Sequence, residues 1–362
     1  MSFKGKKILI VSRDITQKND GGTLVSKRNE RLLNMLGYET ERFIIPIPKL
    51  TTRLINIMFR QSYGATRSLT KKFRVLLNKH YDYIFFDGSI YGGYVKQAIE
   101  KGHKVICFHH NVEVEYYRQK AKQTRKLTDR LMVPYIRYNE YLSVNYSHVL
   151  IALNRRDSEL LEKTYGRNAQ LLLPTSLPFN EEKLSNSNGA LGCKPYILFV
   201  GTNFFANYEG LNRFITKVLP EIKYELWVVG NINTAFKDLK KCPDNIKFLG
   251  QVDSLEKYYQ NALAVIAPIF SGSGLKTKTV EALSFGKLVV GYQEAFEGIP
   301  INDYPGACVQ VSDDKEFVRQ INKITPECRW NKISFQLFRE RFSDESMLKR
   351  LEEMFENFQT MN

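Results

Sequence analysis

Residues 271–286 read SGSGLKTKTVEALSFG. Small residues run into two lysines and then a helical pattern with one carboxylate, and the apolar run ALAVIAP (262–268) precedes them. Strand, small-residue loop and helix start form an arrangement that binds phosphate. The unpaired N–H groups of the first helical turn point at the ligand, and the helix dipole favours an anion. Gly272 and Gly274 remove side chains that would block close approach. Lys276 and Lys278 add positive charge, and Glu281 sits about one and a half turns further on, within reach of a sugar hydroxyl. A tight loop with two solvated lysines fits the same residues, and the local spacing does not choose between the two. It is neither a Walker loop nor a G-x-G-x-x-G dinucleotide fingerprint.

Three further clusters lie in the first half. TQKNDGGT places Gly21 and Gly22 at a helix entry, with Asp20 near its cap. FFDGSIYGGY puts Asp87 and Gly88 at a strand end, where a structural turn and an acceptor contact are both open readings. VICFHHNVEVEYY puts His109, His110 and Asn111 just past another strand, where α/β sites form, with Glu113 following. Successive residues at a strand end alternate faces, so only one of the two histidines is expected to face a ligand.

The elements that must carry these residues repeat one grammar. Short apolar runs at 6–12, 40–45, 81–87, 104–108, 148–152 and 169–173 alternate with helical stretches such as 22–37. Residues 174–195 lose all periodicity and are rich in Pro, Ser, Asn and Gly. The pattern restarts at 195–201 and continues at 224–230, 245–250, 262–268, 287–292 and 307–311. Helices are expected at 208–219, 254–261, 276–285, 313–324, 328–341 and 344–359. This predicts an α/β protein of two doubly wound parallel sheets facing across a cleft. The expected domains are 1–175 and 196–340, joined by a linker at 176–195, with a C-terminal helix at 341–362 packing toward the first domain.

Residues 1–175 hold 31 basic and 15 acidic side chains, a net +16, whereas the remainder holds 22 and 23, a net −1. The basic excess concentrates at 49–80, which has no acidic residue, and at 116–137. Basic segments mixed with Leu, Ile, Met and Phe suit an anionic membrane surface, and equally a solvated helix. Nucleic acid is the less favoured partner, since no nucleic-acid module appears. Five scattered cysteines without a C-x-x-C pair argue against a disulfide framework or a zinc site. The first residues do not form a signal peptide, and no apolar run approaches the ~20 residues of a bilayer span, so a cytoplasmic location is expected.

In order, ILFVGTNFFANYEGLNRFI, LWVVGN, IKFLGQVDSLEKYY, VIAPIFSGSGLKTKTVEALSFGKLVVGY and EGI resemble family 4 of the glycosyltransferases. The resemblance implies the GT-B fold, with two Rossmann-like domains, and transfer of a sugar from a nucleotide-sugar donor to an acceptor hydroxyl with retention. It implies no metal or other cofactor. By the same resemblance Glu281 matches the ribose-binding glutamate, and Gly274, Leu275 and Lys276 match the diphosphate loop. Gly250, Gln251 and Val252 match the strand end at the base, Glu297 and Gly298 the following "EG" pair, and His110 with Asn111 the contact to the reacting sugar. It also places Gly21 and Gly22 at the cleft. There are two departures. Ser273 stands where many members carry a first glutamate, and TNFFANYEG lacks their Arg–Lys pair. Lys276, with Lys278 in reserve, is therefore expected to neutralise the diphosphate, which marks a G-S-G-x-K-x-K branch. A basic first domain suits a lipid-linked acceptor in polysaccharide assembly at the inner membrane face. An epimerase on the same fold and a non-catalytic sugar-nucleotide binder are the alternatives.

Overall fold

The computed structural model describes residues 3–16, 21–179, 194–236, 243–271 and 275–360. The chain divides into two compact units, Met1–Thr175 with Met347–Asn362, and Ser176–Ser346.

The first unit is built on β1 (Lys7–Ser12), β2 (Glu39–Ile44), β3 (Tyr83–Asp87), β4 (Val105–His109), β5 (Val149–Ala152) and β6 (Leu171–Leu172). They form one sheet in the order β2-β1-β3-β4-β5-β6, with every pair parallel. Its helices are α1 (Gly21–Met35), α2 (Leu50–Met58), α3 (Arg67–Leu76), α4 (Gly92–Glu100), α5 (Glu113–Thr124), α6 (Leu127–Tyr146) and α7 (Arg155–Tyr165). YIFFD and VICFH are buried at every position. Helices cover both faces of such a sheet, so its strands read as unbroken apolar runs without alternation. One face packs Leu9, Val11, Phe86 and Cys107 into a core. The other packs Ile8, Ile10, Phe85 and Phe108 with Met347, Leu351 and Phe355 of the last helix.

The second unit repeats the plan with β7 (Tyr196–Val200), β8 (Glu225–Val229), β9 (Ile246–Gly250), β10 (Ala264–Ala267), β11 (Leu288–Tyr292) and β12 (Cys308–Val311). Their order is β12-β11-β10-β7-β8-β9, again parallel throughout. The helices are α8 (Phe205–Lys217), α9 (Glu256–Asn261), α10 (Thr277–Ser284), α11 (Asp314–Lys323), α12 (Lys332–Arg341) and α13 (Asp344–Thr360), which runs on into the first unit. Lys287 is buried here, and its Nζ donates to the carbonyls of Gln260, Ala262 and Arg329. One lysine side chain thereby closes the end of α9 against the segment before α12.

Every strand expected from the sequence forms, with ends shifted by a residue or two. The helix expected over 328–341 starts later, at Lys332. Pro326 opens a short 3-10 turn, and the Asn331 side chain then caps α12 by accepting from the amides of Ile333 and Ser334. The basic stretch 49–80 splits into α2 and α3, and 116–137 breaks at Arg125, whose φ of 54° ends α5. Of the expected linker, residues 180–193 lie outside the described residues. Among the described residues Cys107 and Cys308 are free thiols. No described group of three or more His, Cys, Asp or Glu could hold a metal ion, and no described helix is long and apolar enough to cross a membrane.

Candidate functional site

Each sheet has one point where its connections diverge. In the second unit, β7 has β8 on one side and β10 on the other; in the first unit, β1 lies between β2 and β3. At such a point the loops after the two central strands leave in opposite directions, and their C-terminal ends frame a crevice. The candidate residues of each unit cluster there.

In the second unit, the segment after β10 leads to α10. Ser273 and Gly274 of this loop lie outside the described residues, as does Gly272. Leu275 is buried in the core, so only its backbone is available to a ligand. Lys276 precedes the first residue of α10 and is paired with Glu294, Nζ to Oε1 at 2.7 Å. One turn on, Thr279 Oγ1 donates to the Ala295 carbonyl at 3.0 Å. These two bonds tie the start of α10 to the QEAF turn that follows β11 and leads to Glu297 and Gly298. Lys278 is half-buried, and loss of solvent pushes its amine down to about 8, against the opposing pull of the Glu281 carboxylate. Glu281 itself accepts from the hydroxyl of the buried Tyr259 at 3.0 Å. Tyr259 is held flat against Phe285, with centroids 4.8 Å apart. Two lysines and one oriented carboxylate thus share the first turns of one helix.

Beside them, β7, β8 and β9 end on Gly201, Gly230 and Gly250. The Gly230 amide donates to the Gly250 carbonyl at 2.7 Å, and the Gly201 amide to Val229 at 2.9 Å. A Cβ on Gly230 would stand 2.1 Å from the Gly201 carbonyl oxygen, and φ of 110° there already excludes most side chains. Gly250 has φ of 69°, followed by exposed Gln251 and half-buried Val252. Over these bare strand ends lies an amide network. Asn231 Oδ1 accepts from the Asn203 amide at 2.8 Å, and Asn203 Nδ2 donates to Thr234 at 3.0 Å. The network and the glycine pair at 201 and 230 were missed by the sequence reasoning, although the repeated endings VGT, VGN and LGQ signal them. In place of the absent basic pair, Phe204 and Phe205 stand half exposed at the start of α8, their rings 4.5 Å apart.

In the first unit, three elements converge on Asp87. It ends β3 and is fully buried; His110 Nε2 lies 2.9 Å from its Oδ1, and Asn29 of α1 donates to the same oxygen at 2.9 Å. Burial works against the charged carboxyl. The charge of His110 and the donors His110, Ser26 and Asn29 outweigh it and hold Asp87 below the usual carboxylate range. Asp87 therefore fixes the His110 ring, whose Nδ1 has no partner among the described residues. His109 is fully buried, and burial pushes its imidazole down to about 3, so it is a neutral core ring. Gly21 and Gly22 open α1, and Thr23 beside them accepts from Arg13 at 3.2 Å. Asn111 is half-buried and hydrogen-bonds Glu113.

Glu140 of α6, which the sequence reasoning passed over, anchors this corner. It is fully buried and accepts from Ser89 Oγ (2.9 Å), the amides of Glu113 (2.8 Å) and Val114 (3.0 Å), and Tyr165 OH (2.8 Å). Burial raises the Glu140 carboxyl above the usual range, and the four donors oppose that rise. Desolvation, and then the charge of Glu140, push the Glu113 carboxyl up to about 8. Nothing in the sequence marked Glu140, because its partners come from positions 25 to 51 residues away.

Residues 194–325 match the family model of glycosyl transferases group 1. A Klebsiella pneumoniae protein described as a 44.6 kDa protein in the cps region is 24% identical over 357 residues, spanning 87% of this chain and 90% of that one. Among solved structures, the lipopolysaccharide outer core galactosyltransferase WaaB is 13% identical with a TM-score of 0.63, over 97% of this chain and 99% of its own. Anabaena HepE in complex with UDP-glucose is 13% identical with a TM-score of 0.64 over the same shares. A Rickettsia africae glycosyltransferase reaches 0.67 at 12% identity, over 97% and 98% of the two chains. The chain thus has the two-domain α/β GT-B fold, and its second unit carries the match to group 1 glycosyl transferases.

Proposed function

We propose that the protein is a glycosyltransferase that moves a sugar from a nucleotide-sugar donor to an acceptor hydroxyl. The observation that carries this reading is the grouping of Lys276, Lys278 and Tyr259-held Glu281 at the crevice of the unit whose sequence matches group 1 glycosyl transferases. In this reading the bare ends of β7, β8 and β9 receive the base, with the backbone around Gly250 and Gln251 beside it. Glu281 holds the ribose hydroxyls. The diphosphate lies over the start of α10, where Lys276, Lys278 and the loop amides stabilise the charge that develops as it leaves. The positive charge comes from these side chains, with no metal called for. His110, aimed by Asp87, contacts the reacting sugar, and Asn111 with Gly21 and Gly22 lines the acceptor side. Retention of configuration and membership of family 4 rest on the sequence resemblance. HepE with UDP-glucose and the pneumococcal O-GlcNAc transferase GtfA with UDP and GlcNAc support uridine diphosphate sugars as the first donors to try. The cps-region relative supports cell-surface polysaccharide assembly. A lipid-linked acceptor at the cytoplasmic side of the membrane is proposed on the basic charge of residues 1–175 alone.

The test is transfer itself. The chain is incubated with a panel of nucleotide sugars and a lipid-linked glycan fraction, and products are weighed by mass spectrometry. One donor should yield an acceptor heavier by one sugar, and His110→Ala and Lys276→Ala should abolish it. An epimerised donor appearing without acceptor, or equal turnover in both variants, contradicts the reading.

A further inference from the structure

Helix α2 is amphipathic in the inverted sense. On its inner side Asn56 is buried, with Nδ2 donating to the Ser62 carbonyl at 3.2 Å, and Ile57 packs against Met132, Tyr135 and Ile136. On its outer side Leu50, Leu54 and Met58 form one i, i+4 row, and Ile55 with Phe59 forms the row beside it. These five side chains are between 47% and 69% exposed, and Ile47, just before the helix, is 63% exposed. A helix resting on a water-soluble core normally shows its polar side to solvent. Here the solvent side carries the large apolar residues, in a contiguous patch of the kind that marks an interaction surface.

The setting of that patch selects the partner. From Lys49 to His80, inclusive, there are eight Lys and Arg residues and no Asp or Glu. Lys49 and Arg60 bracket the apolar rows, and Arg67, Lys71, Lys72 and Arg74 follow on α3. A protein partner would need acids to answer these cations and an apolar groove to receive the helix. An anionic lipid surface offers both at once, with headgroup phosphates for the cations and acyl chains for the apolar face. We infer that α2 lies in the plane of an anionic membrane, its Leu50–Leu54–Met58 row immersed at the headgroup boundary and its basic neighbours on the phosphates. The helix is nine residues long, so it rests on the bilayer and does not cross it. This inference stands on the exposed apolar face and its basic surroundings, and holds whether or not sugar transfer is the activity.

The full chain is sedimented with vesicles of phosphatidylglycerol mixed with phosphatidylcholine, and with vesicles of phosphatidylcholine alone. Binding should be at least about tenfold greater on the anionic vesicles and should weaken as salt is raised. Leu54→Glu with Met58→Glu should cut it by a further order of magnitude, about tenfold. Leu54→Ser with Met58→Ser, which removes apolar area without adding charge, should cut it severalfold. Both pairs lie on the solvent side, and circular dichroism checks that they fold. No sedimentation, equal sedimentation with both vesicles, or binding unchanged by either pair overturns the inference. Concentration-dependent dimers in lipid-free solution, broken by these pairs and unaffected by vesicles, would assign the face to a second copy and overturn it as well.

Discussion

Asp87 and Lys278 are the two residues whose environments do most to define the chemistry. Asp87 gains its charge against burial, and its role is to aim His110. Asp87→Asn keeps the shape but loses the charge. It is expected to lower kcat by about tenfold to a hundredfold, the worth of one hydrogen bond to a charged group, with little change in donor KM. Steady-state kinetics separates the two. Lys278 makes a prediction in pH. Its amine is lowered to about 8 by burial, so it is charged at neutral pH and neutral above that value. Nucleoside diphosphate affinity should hold from pH 6 to 7 and fall as pH rises through about 8, and Lys278→Arg should remove the fall. Calorimetric titration across that range checks it; an affinity flat through pH 9 in the wild type would mean Lys278 does not meet the phosphates. The placement of Lys276 and Glu281 at a helix start was legible because a loop, a charge and a helical pattern stand together in sequence. Their partners Glu294 and Tyr259 were not, since each arrives from another element and bears no motif of its own.

At the scale of elements, the glycine that closes each strand and the carboxylate that joins three helices matter most. Gly230→Ala sets a Cβ 2.1 Å from the Gly201 carbonyl at a φ of 110°. It should cost about 1–2 kcal/mol from the backbone alone, and more from the clash, and should weaken nucleotide binding beside it. Chemical denaturation and titration of the same variant measure both effects. Glu140 links β4–α5, α6 and α7 through four accepted hydrogen bonds. Glu140→Ala strands those donors in a buried site, and a loss of about 3 kcal/mol or more is expected. An unchanged denaturation midpoint would show that water replaces the carboxylate freely. The strands themselves were readable from the sequence because buried parallel strands are unbroken runs of Val, Ile, Leu and Phe. Helix starts were less so, as at Lys332, where a capping Asn331 decides the boundary.

At the scale of the molecule, one sheet grammar is used twice with different charge. The basic excess of residues 1–175 belongs to the unit proposed to take the acceptor, while the rest of the chain is nearly neutral overall and places Lys276 and Lys278 at one helix start. Both the two-unit plan and this asymmetry were visible in the sequence, since composition and periodicity are properties of long windows. Strand order was not visible. It follows from which crossover packs on which face, and it is what brings the loops after β7 and β10 to one crevice.

This crevice is proposed to hold a nucleoside diphosphate. Thermal unfolding of the whole chain with each nucleoside diphosphate in turn tests it most directly. At a hundredfold excess over Kd the bound nucleotide should stabilise the fold by about 2.7 kcal/mol, read as a clear rise in Tm for one base. Glu281→Ala leaves the buried Tyr259 hydroxyl without its acceptor and should lower the ligand-free stability by about 1–3 kcal/mol, and it should abolish most of the rise measured from that lower baseline. A chain whose Tm responds to none of them, or a Glu281→Ala variant that responds as fully as the wild type, would contradict the account.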